Sequence, residues 1–89
     1  MYKRIPNTLR KYRRSMGLKQ QDVAKLLGIR SSSRISRWEN GEGIPNLVNA
    51  VKLAILYRSM VDSLFVDLLR HLREEMQEKQ ERYWAGKKK

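Results

Sequence analysis

The 89 residues include no cysteine, two prolines, five glycines, a single phenylalanine and only nine acids. Without cysteine there is no disulfide and no thiolate metal site, so the fold must be held by packing alone. No alternating run of four or more residues suggests a half-buried strand. No apolar run approaches the ~18 residues a membrane helix needs. The opening MYKRIPNTLRKYRRS also lacks the apolar h-region of a secretory signal. The expectation is a soluble, cytoplasmic protein with no membrane segment. The shortage of acids is the strongest bias. Twenty Lys+Arg stand against the nine acids, for a formal charge of +11, and such a balance favours an anionic partner, either nucleic acid or an acidic membrane surface.

That charge is unevenly spread. Residues 1–59 hold 13 Lys+Arg and three acids (Asp22, Glu39, Glu42), a net +10, whereas residues 60–89 hold seven and six, a net +1. The length suits one small domain, and the charge split marks its C-terminal third as a segment with a different task.

Every segment reads as helix, punctuated by Gly, Pro and Asn. After Pro6, Asn7 can cap a helix with Leu9, Tyr12 and Met16 on one face, ended by Gly17. A second helix runs from near Gln20 to Leu27 with Val23, Leu26 and Leu27 as its stripe and Ala24 beside it; Gly28 ends it and Ile29 anchors the turn. The stretch RSSSRISRWENG, residues 30–41, holds three serines where one N-cap would suffice. In it Ile35 and Trp38 share a face, and Ser31 or Ser32 caps. Asn46 can cap a fourth helix to about Tyr57, with Leu47, Val51, Ala54 and Tyr57 at helical spacing. Ser59 can cap a fifth, uninterrupted from Met60 to Trp84. The expectation is an all-α, five-helix bundle with an extended C-terminal fifth helix. The organisation is a domain over 1–65, an extension over 60–84 and a basic tail over 85–89 that frays at Lys87-Lys88-Lys89.

Two short helices joined through Gly28-Ile29, with Ile35 and Trp38 turned inward, leave Ser32, Ser33, Arg34 and Arg37 facing out. Such a helix fits a DNA major groove, where Arg binds guanine O6 and N7 in bidentate fashion and short serines permit close approach. The segments GLKQQDVAKLLGI, SRISRWENG, IPNLVNAVKLA and MVDSLF, in that order, resemble the phage-repressor and Cro-like helix-turn-helix domains, also called the xenobiotic-response-element type. The resemblance covers about residues 7–65. It implies a five-helix bundle that binds a near-palindromic operator on double-stranded DNA as a dimer. Ser32, Ser33 and Arg37 then resemble base readers, Arg34 a base or phosphate contact, and Lys19, Gln20 and Asn40 phosphate contacts. It also implies a salt bridge from Arg13 to Glu39 that ties the first helix to the recognition helix. One departure is the turn: Gly28 to Ile35 is seven steps where the family pattern has six, so the turn carries one extra residue. Another is Glu42, an acid in a loop that is often basic.

Catalysis finds no support, and no cofactor is expected. His71 is the only histidine and has no ligand cluster, while adjacent Glu74 and Glu75 point about 100° apart on a helix. No glycine-rich phosphate loop or nucleophile elbow is present. The long fifth helix carries a stripe in which Phe65, Leu69, Leu72, Met76, Lys79 and Tyr83 follow heptad-like spacing, with Leu68 beside them. Residues near 61–69 complete the core in this reading, and Phe65, Leu68, Leu69, Leu72 and Met76 offer an interface for a twin chain or a different protein. The functional expectation is a transcriptional regulator, a repressor acting as a homodimer. The alternative is the antitoxin of a toxin–antitoxin pair, which holds its toxin through this helix. Non-specific nucleic-acid packaging is a third possibility.

Overall fold

A computed structural model describes residues 3–87. Among them are six helices and no strand: α1 Leu9–Ser15, α2 Gln20–Leu27, α3 Ser33–Glu39, α4 Leu47–Leu56, α5 Val61–Leu64 and α6 Val66–Lys87. Local chemistry sets most of the ends. Asn7 Oδ1 accepts from the Leu9 amide at 3.0 Å, and Asn46 Oδ1 accepts from that of Asn49 at 2.8 Å, satisfying N–H groups that helix starts leave open. At α2 the Asp22 carboxylate reaches back to the Lys19 amide at 2.8 Å. Gly28 ends α2 in the left-handed region, φ 77°, where a residue without Cβ is least strained. Ser59 caps nothing: its hydroxyl donates to Tyr12 Oη, and α5 begins after Met60 without a side-chain cap.

One face of each of the first five helices converges on a core in which Val23 and Leu64 are completely buried, surrounded by Leu9, Leu27, Ile35, Trp38, Leu53 and Phe65. Several faces are rotated from their expected positions. Just past the end of α1, Met16 is exposed; in α2, Ala24 takes the inward position and Leu26 is exposed. In α4, Ala50, Leu53 and Ala54, with Tyr57 just past its end, turn inward, while Leu47 and Val51 face out. That helix, LVNAVKLAIL, is apolar nearly all round, so spacing alone does not select its buried side. Packing selects the alanines, which let α4 approach α2 and α5 closely.

The expected single fifth helix is two. Phe65 leaves helical geometry at φ −134°, ψ 45°, because the carbonyls on its N-terminal side are claimed by Thr8. The Thr8 amide donates to Leu64 O at 2.9 Å, and its hydroxyl donates to Ser63 O at 2.9 Å and Leu64 O at 3.3 Å. Those carbonyls are withdrawn from the ladder, and the break turns both Leu64 and Phe65 into the core. From Val66, α6 leaves the body: none of its 22 residues is buried, and the molecule measures 56 × 25 × 20 Å. Leu68 packs against the core and Leu69 is half-buried; Leu72 and Met76 are exposed. The helix persists through Ala85, Gly86 and Lys87, where a frayed tail was expected; Lys88 and Lys89 lie outside the described residues.

Candidate nucleic-acid interface

Helix α3 is held from behind by three buried residues, Ile35, Trp38 and Glu39. Its first turn settles the choice of cap. Ser32 is the boundary residue but makes no side-chain cap bond; the Ser31 hydroxyl accepts from the Ser33 amide at 3.1 Å and bonds the Ser33 hydroxyl at 2.8 Å. The extra residue of the turn thus supplies the cap from one position earlier. Ser32 is half-buried, whereas Ser33, Arg34 and Arg37 are exposed. The Arg34 guanidinium lies 5.4 Å from the Trp38 ring centroid, a cation–π arrangement. Arg37 makes no ion pair among the described residues.

Glu39 is the electrostatic centre of the site. Its side chain is 1 % exposed and takes hydrogen bonds from three others. Arg13 donates from Nε to Oε2 at 2.6 Å and from a terminal nitrogen to Oε1 at 3.0 Å. Gln20 donates to Oε1 at 3.1 Å, and Arg10 donates to it at 3.4 Å. Burial alone pushes the carboxyl up, but the hydrogen bonds from Arg13, Gln20 and Arg10, with the charge of Arg13, hold it below its ordinary value. The hydrogen bond to Glu39 raises the Arg13 guanidinium in turn. Arg13 also donates to Leu18 O at 3.0 Å, which ties the α1–α2 turn to the same point.

The network reaches two of the expected phosphate contacts. Gln20 spends one amide N–H on Glu39, and Asn40 Oδ1 accepts from Arg10 at 2.6 Å. Among the described residues no hydrogen bond takes the second amide N–H of Gln20 or either amide N–H of Asn40, so each retains a donor. Lys19, at the N-cap of α2, is exposed.

Two contributions were not visible in sequence. Arg10 bridges Glu39 and Asn40. The N-terminal segment is latched across the end of α3: Ile5 N donates to Gly41 O at 2.8 Å, Arg4 donates to Asn40 O at 2.9 Å, and Asn7 Nδ2 donates to Trp38 O at 2.9 Å. Arg4 also pairs with Glu42 at 3.7 Å, so the acid in this loop has a cation beside it. The only local hint is Gly41, at φ 76°, which marks the helix end without naming what crosses it.

Away from α3, an apolar groove of about 270 Å³ runs between the loop before α4 and the root of α6, with Ile44, Leu47, Val61, Phe65, Leu69 and Leu72 among its walls. Phe65, expected as an interface residue, is a core residue with one edge on this groove.

Among the described residues no cluster of His, Cys, Asp or Glu has the form of a metal site, and no helix is long and apolar enough to cross a membrane. A helix-turn-helix family model matches residues 9–59, from the start of α1 to just past α4. No curated protein matches the chain.

Proposed function

The chain belongs to the Cro/C1-type helix-turn-helix family of DNA-binding regulators, and from that premise we propose that it is a cytoplasmic, sequence-specific repressor. It binds a near-palindromic operator as a homodimer, inserting α3 into the major groove of each half-site. The observation that carries this reading is the two-sided character of α3: Ile35, Trp38 and Glu39 fix one side to the body, while Ser33, Arg34 and Arg37 stand exposed on the other. A face so held meets base edges without first having to be ordered. Ser33, Arg34 and Arg37 read bases, with Ser32 at the margin. Lys19, Gln20 and Asn40 contact phosphates through the donors they retain. Residues 1–65 are the DNA-binding domain and α6 is the pairing element. Selection of bound duplexes from a random pool tests the proposal: a two-fold symmetric motif supports it, and no enrichment leaves only non-specific electrostatic attachment.

One observation favours a second reading. Helix α6 has no buried residue, yet Leu72, Met76, Tyr83 and Trp84 lie along it, which suits an antitoxin whose long helix holds a toxin. Co-expression with the product of the neighbouring open reading frame separates the two: a stoichiometric complex that masks α6 supports the antitoxin, and a homodimer indifferent to that product supports the repressor.

A further inference from the structure

We propose that α6 pairs with α6 of a second copy in the antiparallel sense, so that Tyr83 of each chain closes the apolar groove at the root of the other. The inference rests on the dimeric reading above and adds to it a direction, a register and an occupant for the groove.

Each chain carries both halves of such a contact. The groove is walled on one side by Phe65, Leu69 and Leu72 and on the other by Ile44 and Leu47, of which Ile44 is 57 % and Leu47 77 % exposed. The opposite end of α6 carries Tyr83 and Trp84, packed edge to face on each other at 5.2 Å and more than half exposed. A helix this long cannot fold back on its own root without a turn, and α6 is unbroken from Val66 to Lys87. The groove and the aromatic end can therefore meet only between chains.

The stripe and the groove together select the register. Phe65, Leu69, Leu72, Met76, Lys79 and Tyr83 alternate steps of four and three, and in antiparallel pairs the two classes of core position face each other. Two registers match equal numbers of apolar pairs, and only one of them brings the aromatic end to the groove: it sets Leu72 against Met76 of the second copy, Leu69 against Lys79 and Phe65 against Tyr83. Its two-fold axis passes near Glu74. Parallel pairing instead stacks Tyr83 on Tyr83, leaves both grooves open, and brings two bodies of +10 to the same end. Antiparallel pairing keeps the α6 roots ~24 Å apart, eight residues either side of the axis at 1.5 Å each, and reduces that repulsion.

The absence of cysteine makes the test clean. One chain with Leu69→Cys and another with Lys79→Cys, mixed and oxidised, should form a mixed disulfide, while each alone forms little, because like positions are ~15 Å apart along the axis. Homodisulfides from each single variant, as parallel pairing requires, would overturn the proposal. So would the absence of any disulfide together with sedimentation of the intact protein as a monomer at tens of micromolar. Leu47→Glu, at an exposed position that folding does not need, should weaken dimerisation at least tenfold; unchanged dimerisation overturns the role of the groove. Duplex selection reads the DNA-binding proposal separately: a symmetric motif without the mixed disulfide removes this inference alone.

Discussion

Three residues show how a small domain divides stability from recognition. Tyr57 is buried, with a hydroxyl that has no hydrogen-bond partner among the described residues; burial, then the charge of Glu39, pushes its pKa up to about 12. The neutral phenol is therefore favoured in the folded state. Its contribution is intact below the unfolded value of ~10 and is lost as pH rises from there to about 12. Tyr57→Phe keeps the stacking on Tyr12, whose ring centroid is 6.1 Å away, and deletes the unsatisfied oxygen. The variant should be more stable by ~1 kcal/mol in urea titrations and should lose this alkaline limb. Glu39 has the opposite sign. Its folded pKa is lowered, so its stabilisation is present above the unfolded value of ~4.3 and is lost as pH falls through the folded one. Glu39→Ala strands Arg13, 11 % exposed at its side chain, and should cost ~3–5 kcal/mol at neutral pH. The Arg37 side chain is exposed and makes no ion pair among the described residues, and its test is on DNA. If it reads a guanine, Arg37→Ala should cost ~1–3 kcal/mol at the preferred site and relax selectivity at one base pair. A uniform loss across sequences would make it a phosphate contact, while thermal stability should not move in either case.

At the scale of elements, what was legible followed from whether the determinant was local. Helix α2 begins and ends where Gln20 and Gly28 indicate, and Asn46 caps α4, because these signals act over three or four residues. The buried face of α4 was misread because its apolar residues encircle it, so only the neighbouring helices decide which side turns in. The break at Phe65 was invisible for a similar reason: its cause is Thr8, more than fifty residues away in sequence. The candidate site divides in the same way. The outward position of Arg37 follows from the spacing to Ile35, and the partner of Arg13 came only through resemblance. Nothing in the chain announces that Arg10 and Gln20 converge on the carboxylate of Glu39, or that the N-terminal segment crosses the end of α3. That crossing depends on Gly41. A Cβ there would lie 2.6 Å from Ile5 O and 2.7 Å from Ile5 N, on a backbone at φ 76° that side chains rarely adopt. Gly41→Ala should therefore displace the latch as well as strain the turn, at a cost of ~1–3 kcal/mol. Faster hydrogen exchange at the Ile5 amide would show the displacement directly; an unchanged rate would mean that the segment is held by Arg4 and Asn7 instead.

In the whole molecule, charge and burial both change over one short stretch of chain, between residues 59 and 65. Every buried hydrophobic residue of the core lies at or before Phe65, and the +10 segment ends at residue 59, whereas the remainder is nearly neutral. A body that needs nothing beyond Phe65 to close its core should fold without α6, losing only the packing of Leu68 and its neighbours. Truncation after Phe65 should thus give a helical monomer of reduced thermal stability that still binds a single half-site with the preference of the intact chain. Two copies on a full operator touch about twice as many phosphates as one copy on a half-site, and each contact releases condensed counterions. The slope of log affinity against log salt is ~0.9 per phosphate neutralised, so it should be roughly twice as steep for the intact protein on its operator as for the truncated one on a half-site. At low salt the gap between them should widen, and near 0.2 M salt it should narrow toward the part contributed by α6 pairing. Equal slopes, with full operator affinity kept after truncation, would mean that the basic body binds alone. The projecting helix would then serve a partner other than its twin.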